Sequence, residues 1–211
     1  MPVHLRILAG LTAAVCAVAL ALQYVLILSR VGAQKLPAID AVVVFAMFFT
    51  TQINILAAAV TGCAAAGLKW LSTRDGLRSA IAVYLLTGSV VFGLVLRHYY
   101  HHRGLQLTAD VVLHYVTPAL YAAFWLLAVP KSSLRWRDPA IWLIYPAVYM
   151  ASALVFGTWS GFFPYPIINW HRLGVVEVGI TVLALGAVVL AIGLAAVALA
   201  RRIDPAARRP S

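Results

Sequence analysis

Residues 174–200 read GVVEVGITVLALGAVVLAIGLAAVALA, an apolar run whose one charge, Glu177, lies near its start. At about 1.5 Å of rise per residue, a helix of this length crosses a hydrocarbon core of about 30 Å with residues to spare. Inside hydrocarbon the backbone has to satisfy its own polar groups, which leaves a helix or a closed barrel. The alternating pattern of barrel strands is absent, so the run reads as a membrane-spanning helix.

Working outward, five more runs of the same kind occupy residues 7–28, 41–68, 79–96, 110–129 and 140–157. Gaps of roughly ten to sixteen residues, with Pro, Gly and charge in most, separate the six runs. No internal repeat or low-complexity linker appears. The expectation is one domain over residues 1–211: an all-α polytopic membrane protein, a six-transmembrane-helix bundle with a basic cytoplasmic tail over 201–211. Composition agrees, with 64% hydrophobic residues, 10% charged and a mean hydropathy of +0.94. A soluble domain carries about 25% charge, and a disordered chain far fewer apolar residues.

The net charge of +10 would suggest nucleic acid in a soluble protein. Here the basic residues sit between the apolar runs, where they read as topology signals, and no nucleic-acid partner is expected. Arg6, Lys69, Arg74, Arg78, Lys131, Arg135, Arg137, Arg201, Arg202, Arg208 and Arg209 fall on one side of a six-span chain. Arg30, Lys35, Arg97, Arg103 and Arg172 fall on the other. This asymmetry places both termini in the cytoplasm. The first run, about 22 residues, exceeds the 7–15 of a signal-peptide core and is expected to be retained. Cys16 and Cys63 lie inside spans with no metal-binding spacing, so neither a metal nor a cofactor is expected.

Polar groups at membrane depth are costly and so direct attention to function. Thr50 and Asn54 share a helix face in the second span. Asp110, His114 and Thr117 form a stripe in the fourth. Glu177 lies in the first turn of the sixth span, and Arg97 at the outer end of the third. All of them fall in the outer half of the membrane, whereas the inner half is nearly featureless Ala, Val and Leu. Thr50 lies about 14 Å along its helix and His114 about 15 Å along its own, so the two can meet at one level. A hydroxyl facing an imidazole is the minimum for base-assisted nucleophilic attack. Each residue also has a plainer role: Thr bonding the carbonyl four residues back, His and Asn as interhelical glue, Asp110 and Glu177 as interfacial charges.

Four stretches in order resemble the androgen-induced protein family. They are Phe49-Thr50-Thr51-Gln52-Ile53-Asn54-Ile55-Leu56, then Leu113-His114-Tyr115-Val116-Thr117-Pro118. Trp136-Arg137-Asp138 leading to Tyr145-Pro146-Ala147-Val148-Tyr149, and Phe163-Pro164-Tyr165-Pro166, complete the set. The resemblance spans roughly residues 40 to 200. It implies a bacterial relative of small six-helix membrane threonine hydrolases that cleave fatty acid esters of hydroxy fatty acids. It also implies Thr50 as nucleophile and His114 as base. Gln52-Ile53-Asn54 after the threonine and the His-rich outer loop depart from the animal pattern and bear on the substrate.

Two classes of function follow. The first is a lipid ester hydrolase in the bacterial cytoplasmic membrane, its active site toward the outer half and a lipid or fatty acyl ester as its substrate. Asp110 or Glu177 would then orient His114, and the Asn54 amide or Arg97 would stabilise the oxyanion. No G-x-S-x-G elbow is present, which excludes a soluble α/β-hydrolase arrangement. The second is a non-enzymatic membrane protein, either a small transporter or a haem-carrying electron-transfer bundle. Only His114 lies well inside a span, too few for axial haem ligation, and no inverted repeat points to a transport site.

Overall fold

The computed structural model describes residues 1–204; the end of the basic tail, including Arg208 and Arg209, lies outside the described residues. Six helices are long and apolar enough to span a membrane: Val3–Ala33, Phe49–Ala66, Asp75–His98, Gly104–Ala128, Asp138–Ser160 and Val175–Ile203. No strand occurs among the described residues. Most of the spans run a few residues beyond their apolar stretches, since helix is also the cheapest way to pair the backbone where the chain leaves hydrocarbon. An even number of spans brings both ends of the described chain to one face of the bundle, called here the terminal face.

The second apolar run is not one helix. It divides into an entry helix, Ala38–Met47, and the second span, with Phe48 between them in extended conformation (φ −80°, ψ 125°). A break at membrane depth frees carbonyls at the end of one helix and amides at the start of the next. Side chains take up the carbonyls. Gln52 Nε2 donates to the Ala46 carbonyl at 2.8 Å, and Tyr149 Oη to that of Met47 at 2.9 Å. Tyr145 Oη donates in turn to Gln52 Oε1 at 2.7 Å. Gln52 thus secures the break.

The fourth span is irregular too, with a π turn over Val112–Val116. Pro118 explains its position: it has no N–H, and its ring presses on the carbonyl four residues back, that of His114. The turn widens, as π turns in helices commonly do at functional sites.

The core nearer the terminal face packs Tyr121, Phe124, Ile53, Ile81, Leu85 and Val60, all essentially inaccessible. Its aromatic polar atoms are paired: Tyr121 Oη with the Arg78 carbonyl (3.2 Å), Trp125 Nε1 with Ser79 Oγ (2.8 Å), Tyr84 Oη with the Trp142 carbonyl (2.6 Å). The fifth and sixth spans touch at Gly193, where an added Cβ would lie 2.9 Å from Pro139 Cβ. Outward-facing positions such as Val155, Ile180 and Leu183 are apolar and exposed, as a lipid-facing surface requires.

Candidate active site

Thr50 is the second residue of the helix that begins after the break, so the amides of Phe49, Thr50 and Thr51 have no partner within that helix. Its hydroxyl does not bond the carbonyl four residues back, which Gln52 occupies. It meets His114 instead: Thr50 Oγ1 lies 3.1 Å from His114 Nε2. On the other side of the ring, Nδ1 lies 2.9 Å from the Asp110 carbonyl oxygen. A carbonyl can only accept, so Nδ1 carries the proton, and in the neutral ring Nε2 is the acceptor for the Thr50 hydroxyl. Phe92 stacks on the imidazole, with centroids 3.9 Å apart and planes 13° from parallel, and holds it in that orientation.

Asp110 was expected to act through its carboxylate, but the contact with His114 is through its backbone. The carboxylate turns away to His102 Nδ1 at 2.5 Å and accepts from Gln106 Nε2 at 3.2 Å. A histidine one helical turn on reaches that carbonyl, whereas the Asp110 side chain points toward His102 in the connection before the fourth span. Asn54, a candidate oxyanion donor, has its amide group engaged in other hydrogen bonds. Its Nδ2 donates to the Thr50 carbonyl (2.9 Å) and, more weakly, to that of Leu113 (3.5 Å), while Oδ1 accepts from Thr117 Oγ1 at 2.7 Å. It ties the second span to the fourth and so sets the spacing of Thr50 and His114. Arg97 and Glu177 are exposed and line neither cavity at the site.

Tyr165, from the Phe163-Pro164-Tyr165-Pro166 stretch, is a further neighbour of Thr50. Its hydroxyl lies 3.4 Å from Thr50 N, from which it accepts, and 3.5 Å from Thr50 Oγ1. Burial raises its pKa above the ordinary phenol value, against hydrogen bonds from Thr50 that lower it, so it is a neutral donor at neutral pH. The loop carrying it closes over the bundle at Gly157, where a Cβ would fall 2.5 Å from the Phe163 ring. Phe48, at the break, meets Tyr165 edge-on at 5.6 Å. The prolines on either side of Tyr165 were the one sequence signal that this residue is held rigidly.

Two cavities meet at the pair. One, of about 680 Å³, opens away from the terminal face and is walled by a polar chain: Arg30 donates to Gln106, and Gln106 joins Gln23 and Asp110. The other, of about 460 Å³, extends between the third, fifth and sixth spans and is almost wholly apolar. Thr50, His114, Leu96 and Tyr165 line both. Among the described residues no three His, Cys, Asp or Glu side chains converge as metal ligands. No family model, curated protein or solved structure matches this chain.

Proposed function

We propose that the chain is an integral membrane lipid ester hydrolase with Thr50 as nucleophile and His114 as general base. One observation carries the reading: the 3.1 Å contact between Thr50 Oγ1 and His114 Nε2, with the imidazole tautomer set by the Asp110 carbonyl. Thr50 Oγ1 attacks the acyl carbonyl as its proton passes to His114 Nε2. The tetrahedral oxyanion collapses, the C–O bond to the alcohol breaks, and His114 returns the proton to the leaving oxygen. Water, deprotonated by His114, then attacks the Thr50 ester. The bond from the acyl carbon to Thr50 Oγ1 breaks, and His114 returns that proton to Thr50 Oγ1 as the acid leaves. The amides that open the second span and the Tyr165 hydroxyl are the donors near the developing charge. The resemblance of the motifs around Thr50 and His114 to the androgen-induced protein family makes fatty acid esters of hydroxy fatty acids the first substrates to assay.

The same reading orients the protein, with both termini cytoplasmic and the polar cavity toward the outer leaflet, from the distribution of Lys and Arg. Labelling by a lipophilic fluorophosphonate tests the nucleophile: the wild type and Thr51→Ala should react, and Thr50→Ala should not. Turnover of a fatty acyl ester should fall about 10²–10⁴-fold in His114→Ala, the usual contribution of a general base. Equal labelling of the wild type and Thr50→Ala would overturn the assignment.

A further inference from the structure

We propose that the apolar cavity behind Thr50 and His114 is an acyl-chain subsite filled sideways from the bilayer, between the fifth and sixth spans, with Gly186 setting the chain length it accepts. The inference rests on the hydrolase reading and names where the two halves of the ester lie.

The cavity has one functional end. Thr50 and His114 stand at its mouth, and beyond them the walls are hydrocarbon from Val91, Met150, Val182 and Leu190. An alkyl chain fits such walls, and the Thr87 hydroxyl there, which has no hydrogen-bond partner, is unpaired with or without it. The opposite cavity, with Arg30, Gln106 and Asp110 in its wall, suits the more polar alcohol half. An ester carbonyl held at Thr50 therefore has an apolar room on one side and a polar one on the other.

The route in is visible in the packing. The fifth and sixth spans meet toward the terminal face, where Gly193 abuts Pro139, and toward the opposite face, where Tyr149, Ala153, Ile168 and Val178 share one cluster. Between these contacts, Ala147, Leu183 and Ala187 line the cavity and are also exposed on the outside of the bundle. Neighbouring outer positions are apolar, with Ile144, Val148 and Ile180 all exposed, so the opening faces hydrocarbon rather than water. A lipid chain enters without leaving the bilayer.

Gly186 lines this room, and a Cβ added there would meet nothing within 4 Å. The first carbon of a larger side chain enters open space, and replacing a helix-interior glycine favours the helix. Shortening the subsite and unfolding the protein are thus separable.

The test compares purified wild type, Gly186→Phe and Ala147→Phe in lipid nanodiscs, on 4-nitrophenyl acetate and 4-nitrophenyl palmitate, with Thr50→Ala as the control for the reaction itself. Both Phe variants should keep acetate hydrolysis within about threefold and lose palmitate hydrolysis at least about tenfold. Unchanged chain-length preference in both, or equal loss of acetate and palmitate, overturns the subsite. Wild type no faster than Thr50→Ala on both esters overturns the hydrolase reading instead. Occupancy is read without turnover by photo-crosslinking Thr50→Ala with a diazirine-bearing palmitate ester. Crosslinks at Val91 and Met150, lost when Gly186→Phe is added, support the subsite, and crosslinks that ignore Gly186→Phe overturn it.

Discussion

Thr50 and His114 come from helices far apart in the chain, yet their polar atoms lie within hydrogen-bond distance, and the groups around them sort by what they touch. Tyr165 touches Thr50 at both its amide and its hydroxyl. Tyr165→Phe removes one donor from the region where the oxyanion develops, and kcat should fall about 10²-fold, the loss typical of one such donor. Fluorophosphonate labelling should persist, because Thr50 and His114 remain in place. Asp110 makes the opposite case. Its backbone carbonyl orients the imidazole, and Asp110→Asn leaves that carbonyl where it is. Ester hydrolysis by Asp110→Asn should stay within about tenfold of wild type, far above His114→Ala. A loss as large as that of His114→Ala would mean that the carboxylate itself acts on the ring.

At the scale of the element, two irregularities build the site. The break at Phe48 gives Thr50 a place in the first turn of a helix, where its amide has no partner within the helix and donates to Tyr165 instead. The π turn at Val112–Val116 lets His114 Nδ1 reach the Asp110 carbonyl and Thr117 reach Asn54. The connection after the fourth span ends that helix by a different device. Lys131 is 4% exposed and donates to the carbonyls of Trp125, Leu126 (2.9 Å) and Val129 (2.5 Å). Burial lowers its pKa from 10.5 to about 8, Arg78 adds to the effect, and Asp204 and Asp75 oppose it. Below about pH 8 the folded protein carries a buried ammonium at a cost. Between about 8 and 10.5 the unfolded chain still binds a proton that the folded chain has released, so stability rises with pH there. Thermal melts at pH 7.5 and 9.5 should show wild type gaining on Lys131→Met across that interval. A gain of the mutant on wild type would reverse the sign and refute the burial account.

For the whole molecule, orientation is the open variable that charge decides. A carboxyl-terminal fluorescent-protein fusion should fluoresce, and an alkaline phosphatase fusion at the same point should be inactive, if the terminal face is cytoplasmic. The reverse pattern would turn the bundle over and place the polar cavity on the inner side. What the sequence by itself determined is the set of spans, because hydropathy accumulates along the chain and needs no partner to be read. It also suggested similar depths for Thr50 and His114, but by counting residues 41–50 as continuous helix. With that run broken at Phe48, it is the packing that brings the two within 3.1 Å. The break at Phe48 was not legible: residues 41–68 are continuously apolar enough for one span, and the break is held by Tyr149 and, through Gln52, by Tyr145. Asn54 could be read as an oxyanion donor or as glue until Thr117 and the Leu113 carbonyl were seen to occupy it. Tyr165 and the backbone role of Asp110 were decided only by tertiary structure. A hydrogen bond depends on positions fixed by packing across many residues, 115 between Thr50 and Tyr165, and no local pattern encodes that.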